Sequence, residues 1–157
     1  MKKILFVCHG NICRSPMAEF ILKDMVRQAG VEDRFVIASA ATSTEELGNP
    51  VDSRARRELA RRGVRCENRS ARQVSRRDYA DYDLFIAMER VNVRNLLRIF
   101  GGDPEDKIRL LLSYTGRNAD IDDPWYTGRF SEVCAQIETG CRALLAEILW
   151  EDGGSRV

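Results

Sequence analysis

Residues 4–16 read Ile4-Leu5-Phe6-Val7-Cys8-His9-Gly10-Asn11-Ile12-Cys13-Arg14-Ser15-Pro16. The first four are uninterrupted apolar side chains and read as a short buried strand. At the far end, Ser15 stands at an N-cap position and Pro16 at the first helical position, where a missing N–H costs nothing. A strand, a tight polar loop and a helix start gather backbone N–H groups and the positive end of a helix dipole around one spot. That is an anion pocket, here equipped with a thiol and a guanidinium.

Outward from this element the chain alternates. Strand-like runs occur at 35–38, 84–87 and 108–111, in addition to 4–7. Helical spacing fills the intervals at 16–29, 51–62 and 91–100. A long apolar stripe follows, through Phe130, Val133, Cys134, Ile137, Cys141, Leu144, Leu145 and Ile148. Gly30 and Gly63 fall where the first two helices should stop. Alternating strands and helices imply parallel pairing with right-handed crossovers, hence an α/β fold in three layers. The chain has 157 residues, for which one domain, 1–157, is the expectation, with residues 153–157 a frayed tail. Ligands of open α/β sheets bind at the carboxyl ends of the strands, and the loop at 8–14 lies at such an end.

Composition sets further bounds. Hydrophobic residues are 44% of the chain and the formal net charge is +1, so a packed core is expected and global charge selects no partner. The apolar runs are too short for a bilayer, and Met1-Lys2-Lys3 with four apolar residues is too short for a signal peptide. A cytoplasmic protein without nucleic-acid or membrane partners is expected. The five cysteines, an odd count without a CxxC pair, argue against a disulfide framework. With His9 the sole histidine, neither a structural zinc site nor any other metal or cofactor is expected.

Each loop residue suggests a task. A five-residue loop between Cys8 and Arg14 can turn its N–H groups inward as an oxyanion nest. Gly10 and Asn11 are best able to take left-handed backbone angles. Arg14 can close the ring with a planar fork matched to two phosphate oxygens. Cys8, at the loop centre in that positive field, is favoured as thiolate and set for in-line attack on phosphorus. A lone cysteine is usually a packing residue; Gly-Asn, Arg14 and Ser15-Pro16 in strand–loop–helix context reverse that reading. His9 is read as a rim residue rather than a general base.

Cys8 through Pro16 resembles the signature of the low-molecular-weight protein-tyrosine phosphatases. The resemblance spans essentially the whole chain. Segment 39–52, with Gly48-Asn49-Pro50-Val51-Asp52, resembles a second family segment; Ala71-Arg72-Gln73 resembles another; Asp123-Pro124-Trp125-Tyr126 resembles the acid loop. The resemblance implies a four-stranded parallel sheet with helices on both faces. It also implies a two-step hydrolysis of phosphotyrosine in proteins. Cys8 attacks phosphorus, Asp123 protonates the leaving phenolate, and the cysteinyl-phosphate is then hydrolysed. His9, Gly10, Asn11, Ile12, Cys13 and Arg14 would hold the phosphate. Ser15 matches the serine that donates to the Cys8 thiolate, and Cys13 the second loop cysteine that pairs with Cys8 on oxidation. Trp125 and Tyr126 look like the aromatic wall of a slot for a phenyl ring.

Departures from the family pattern are also visible. Glu45 stands where many members carry an aromatic residue on the opposite wall, so that side of the slot is polar. Met88-Glu89 replaces the common Met-Asp, and Arg69 falls where many members have histidine. Segment 54–77 carries ten arginines, two glutamates and no aromatic side chain, and reads as a solvated face rather than a nucleic-acid groove. Two other reactions share this fold. A thiol-coupled arsenate reductase would need cysteines after the third strand, where the chain has Met88-Glu89-Arg90-Val91-Asn92. A protein-arginine phosphatase would carry threonine where this chain has Ile12.

Overall fold

The computed structural model describes residues 1–153. Four strands, β1 (Lys2–Cys8), β2 (Phe35–Ala41), β3 (Leu84–Ala87) and β4 (Ile108–Leu110), form one sheet in the order β2-β1-β3-β4. Every pairing is parallel. Helices α1 (Arg14–Gln28), α2 (Ser53–Arg61), α3 (Asp78–Asp81), α4 (Arg90–Phe100), α5 (Pro124–Thr127) and α6 (Phe130–Gly153) complete the fold. The expected α/β class and four-stranded parallel sheet are therefore observed.

Strand β1 is central, and its side chains alternate between two cores. Ile4, Phe6 and Cys8 pack with α1, α2 and α6 residues such as Met17, Leu22, Leu59 and Leu144. Leu5 and Val7 pack with Phe85, Leu96 and Phe100 on the other face. Burial on both faces is why the strand reads as an unbroken apolar run. The register aligns Cys8 with Ala41 and Val7 with Ala87, so β1, β2 and β3 end together. β1 is followed by β2 on one side and flanked by β3 on the other, which makes its carboxyl end the switch point of the sheet.

Boundaries differ from the sequence expectation in instructive ways. Helix α1 begins at Arg14, with Cys13 at the N-cap and no side-chain cap bond. Ser15 is not the cap, because its hydroxyl is used inside the loop; Pro16 lies further into the first turn, where N–H groups still lack intrahelical acceptors. Gly30 has φ +72° just past the helix end, as expected. Helix α2 starts later than expected because the Asp52 carboxylate accepts from Arg54 N–H as its N-cap. Strand β2 runs on through Ser39, Ala40 and Ala41, small residues with little strand propensity that β1 nonetheless pairs. Strand β4 stops at Leu110, and Leu111 opens a 3-10 turn to Thr115. Gly153, expected in a frayed tail, belongs to α6; residues 154–157 lie outside the described residues. No described helix is long and apolar enough to cross a membrane.

The arginine-rich segment is not one solvated face. Arg61 and Arg62 bind Glu58 at 2.5 and 2.8 Å, and Arg62 also reaches Glu138 on α6. Arg72 binds Asp78 at 3.0 Å. Arg69 donates to Asn11 O in the loop at 8–14, and Arg54 pairs with Asp52 and lies over Trp125.

Two predictions follow from the packing and these pairs. A Cβ built on Gly140 of α6 would lie 2.6 Å from Leu111 Cγ, and Leu111 is fully buried. Gly→Ala in a helix normally gains about 1 kcal/mol, but overpacking here costs about 1–3 kcal/mol. Gly140→Ala should lower Tm by a few degrees in a thermal melt, whereas Gly153→Ala, with open space around it, should not. The second concerns acid. Burial works against ionisation of Asp52, Glu58 and Asp103. It is outweighed by hydrogen bonds from Arg54, from Arg61 and Arg62, and from Tyr79 with two backbone N–H groups, respectively. All three carboxyls are held below their ordinary range. Their contribution is present above the unfolded-state values near pH 4 and is lost as pH falls through the lower folded-state values. The urea midpoint should therefore drop progressively below about pH 4.

Candidate active site

The loop between β1 and α1 is shaped from outside. Its carbonyls are taken by neighbours. Cys8 O accepts from Thr42 N, His9 O from Ser43 N, and Ile12 O from Asp52 N at 2.9 Å. Asn11 O accepts from Arg69 at 2.8 Å. In a trans peptide the following N–H points opposite to the carbonyl. With these carbonyls outward, the N–H groups of Gly10, Ile12 and Cys13 face into the loop.

Asn11 sets the loop conformation. It is fully buried with φ +61°. Its amide donates 2.9 Å hydrogen bonds to Ser15 Oγ and to Ser39 Oγ, and its oxygen accepts from Arg69 and from Arg72 N–H. Ser39 Oγ in turn donates to Glu19 at 2.6 Å, and Glu19 is paired with Lys23. The direction of the chain is thereby fixed. Glu19, as a carboxylate, accepts the hydrogen bond of the Ser39 O–H, so Ser39 offers Asn11 only a lone pair. Asn11 likewise uses an N–H on Ser15, leaving the Ser15 O–H free to donate to Cys8 Sγ, 3.0 Å away. The Cys8 sulfur also accepts from Asn11 N–H at 3.3 Å.

Gly10 has no positive φ and so departs from the expectation. A Cβ there would stand 3.3 Å from Glu46 Cγ, a tight contact that the Glu46 side chain would have to relieve.

Arg14 is 1% exposed. Nη1 donates to Ile121 O at 2.8 Å and lies 3.0 Å from Glu89 Oε1, while Nη2 lies 3.5 Å from Asp123 Oδ2. Burial disfavours its charge, but Cys8, Glu89 and Asp123 outweigh that and hold the guanidinium above its ordinary range. The Glu89 N–H donates to Asn92 Oδ1 at 3.0 Å at the start of α4. Asp123 caps α5, its Oδ1 accepting from Trp125 N–H at 3.0 Å.

One cleft collects these groups. It is lined by Cys8 through Arg14, Glu45, Glu46, Asp123, Trp125 and Tyr126. Every candidate residue named from the sequence except Ser15 lines it, and Ser15 lies buried directly behind Cys8. Trp125 and Tyr126 are 49% and 83% exposed, an open wall rather than a packed one. On the opposite rim Glu45 pairs with His9 at 2.9 Å, which fixes His9 as a rim residue turned toward Glu45. Burial first, then Asp52, Cys8 and Asp123, push the Cys13 thiol far up against a partial offset from Arg54, which favours its neutral form. No group of three or more His, Cys, Asp or Glu among the described residues is arranged to hold a metal.

Sequence reasoning missed Glu19, Ser39 and the Ile121 carbonyl, and saw Glu89 and Arg69 only as departures from a pattern. Glu19 offered a signal: it is a charged residue in a stretch of α1 that is buried on all sides. The Ile121 contact offered none, since it uses backbone.

Comparisons with known proteins agree on one family. Residues 3–152 match the family described as low molecular weight phosphotyrosine protein phosphatase. The Bacillus subtilis protein named low molecular weight protein-tyrosine-phosphatase YfkJ is 43% identical over 150 residues, covering 94% of this chain and 96% of that relative. The low molecular weight phosphotyrosine protein phosphatase of Rattus norvegicus is 40% identical, covering 92% and 94%. The crystal structure of YfkJ superposes with a TM-score of 0.92 at 43% identity over 96% of each chain. That of SP-PTP from Streptococcus pyogenes gives 0.85 at 36% identity, covering 94% and 93%.

Asn11 yields the prediction for this site. Asn11→Ala combines a left-handed φ, which costs an ordinary residue about 1 kcal/mol, with loss of buried polar partners at about 1–3 kcal/mol. Chemical denaturation should show a loss of about 2–4 kcal/mol. Asn11→Gly should recover only the backbone share, about 1 kcal/mol.

Proposed function

The chain belongs to the low molecular weight phosphotyrosine protein phosphatase family, and on that premise we propose how its own residues hydrolyse phosphotyrosine in proteins. The phosphate of the substrate sits in the loop, its oxygens on the inward N–H groups of Gly10, Ile12 and Cys13 and on the Arg14 fork. Cys8 Sγ attacks phosphorus in line with the departing phenolate. The sulfur–phosphorus bond forms as the phosphorus–oxygen bond breaks. The Ser15 O–H and Asn11 N–H bonds to the sulfur orient it for attack and stabilise it when it leaves again as thiolate. Asp123 gives its proton to the phenolate oxygen, then removes one from the water that hydrolyses the cysteinyl-phosphate. Trp125 and Tyr126 flank the phenyl ring.

One observation carries this reading. Asp123 Oδ2 lies 3.5 Å from Nη2 of the same Arg14 that closes the Cys8 loop. Nucleophile, phosphate clamp and proton donor therefore share one pocket, although the chain supplies them from its two ends.

The alternatives on this fold lack their groups. The segment after β3 holds no cysteine, and Cys134 and Cys141 are fully buried in the core. Ile12 lines the pocket where a phosphoarginine enzyme would carry threonine. Pairing of Cys13 with an oxidised Cys8 remains part of the proposal, with the buried Cys13 thiol as the partner that must lose its proton. Substrates are tyrosine-phosphorylated proteins of the cytoplasm, and the reaction as drawn needs no metal or cofactor.

The purified protein should hydrolyse 4-nitrophenyl phosphate undiminished by a chelator, and vanadate should inhibit it. Cys8→Ser should have no turnover; measurable turnover in that variant would falsify the nucleophile assignment. Asp123→Asn should reduce kcat/KM by about a hundredfold for phenyl phosphate and far less for 4-nitrophenyl phosphate. An equal loss on both removes Asp123 as the acid.

A further inference from the structure

Helix α5, capped by the proposed acid Asp123, is anchored at its start by the Asp123–Arg14 pair and the buried Pro124 but has little to hold its outer face. It is four residues long, too short to persist on its own, and Trp125 and Tyr126 pack against little. One outside group does cover it. The Arg54 guanidinium carbon lies 5.0 Å from the Trp125 ring centroid, and the same guanidinium lies 4.7 Å from the ring of Phe130 at the start of α6. Arg54 also grips Asp52, with Nε 3.2 Å from Oδ1 and Nη2 3.1 Å from Oδ2.

Asp52 faces the phosphate loop. Its N–H donates to Ile12 O at 2.9 Å, and its side chain is only 9% exposed. Trp125 faces the acid, its N–H donating to Asp123 Oδ1. A continuous run of contacts therefore joins Ile12, Asp52, Arg54, Trp125 and Asp123. A guanidinium suits the middle of it. Its edge makes a fork for a carboxylate while its flat faces lie on aromatic rings. An ammonium can satisfy the carboxylate but cannot present a plane.

We propose that Arg54 is a positioning residue for the acid: it ties the α5 turn to the phosphate loop, so that the Asp123 carboxyl meets the leaving oxygen of a phosphate seated over Cys8. The proposal rests on Asp123 being the acid. Arg54 touches neither the phosphate nor the reacting atoms in this arrangement, and acts through Trp125.

The test is leaving-group dependence, read as kcat/KM on phenyl phosphate and on 4-nitrophenyl phosphate. Phenolate needs the proton, whereas nitrophenolate leaves largely without it. Four variants are compared with the parent: Arg54→Ala, Arg54→Lys, Asp123→Asn and the Arg54→Ala/Asp123→Asn double. Misplacing the carboxyl should cost Arg54→Ala roughly tenfold or more on phenyl phosphate and less than about threefold on 4-nitrophenyl phosphate. Arg54→Lys keeps the charge and a contact to Asp52, so it serves if the alanine variant does not fold, and it should show the same selective loss. In the double variant Arg54→Ala should add no further selectivity, because the proton it would deliver is already gone. A uniform loss on both substrates, full rescue by lysine, or additive selectivity in the double variant overturns the proposal. A selective loss in Asp123→Asn with none in either Arg54 variant sinks the positioning role alone. A uniform loss in Asp123→Asn sinks the acid assignment and the positioning role with it.

Discussion

A full guanidinium charge is buried at Arg14, and the site is organised around keeping it there. Removing such a charge from water costs several kcal/mol unless its donors are met by well-placed acceptors. Three acceptors meet it: the Ile121 carbonyl, the Glu89 carboxylate and the Asp123 carboxylate. They come from the end of β3 and from the segment entering α5. Satisfying one arginine thus draws the late part of the chain onto the first loop. Ile121 is knitted in further by donating its N–H to Met88 O at 2.9 Å. The glutamate at position 89 is integral to this arrangement, since its side chain holds Arg14 while its backbone N–H donates to Asn92 Oδ1 at the start of α4.

A second constraint is directional. Glu19 is 6% exposed and can only accept when ionised, so it dictates which way every hydrogen bond runs through Ser39, Asn11 and Ser15 to the Cys8 sulfur. Lys23 balances its charge at 2.7 Å. Arg69 completes the same network from the other side by binding the Asn11 backbone and side-chain oxygens. Burial holds the Arg69 guanidinium below its ordinary value, against opposing pulls from Glu19 and Cys8.

The rim is built differently from the floor. Buried groups below the phosphate position have fixed partners, whereas Trp125, Tyr126, His9 and Glu45 are half or largely exposed. An exposed pair such as His9–Glu45 contributes about 1 kcal/mol at most. It places the Glu45 carboxylate at the rim of the cleft. Buried, hydrogen-bonded groups thus form the floor of the cleft, and exposed side chains form its rim.

The sequence by itself determined the class of the fold and marked Cys8 and Arg14 as the candidate reacting groups. Residues 4–16 announce a buried strand, an anion loop and a helix because each depends on local facts: apolar run, glycine and asparagine, serine and proline. Four strand-like runs separated by helical spacing then settle the parallel sheet. Asp123, Trp125 and Glu45 were legible through resemblance, not through local physics. The tertiary structure decided what is not local. It turned Ser15 from a helix cap into a donor to Cys8, gave the left-handed angle to Asn11 rather than Gly10, and extended β2 through Ser39-Ala40-Ala41. It also brought Glu19 and Arg69 behind the loop, Glu89 onto Arg14, and Arg54 against Trp125. The physical reason is common to these cases. A buried polar group or charge must be satisfied, and its partner is fixed by position in space, which neither spacing nor propensity along the chain records.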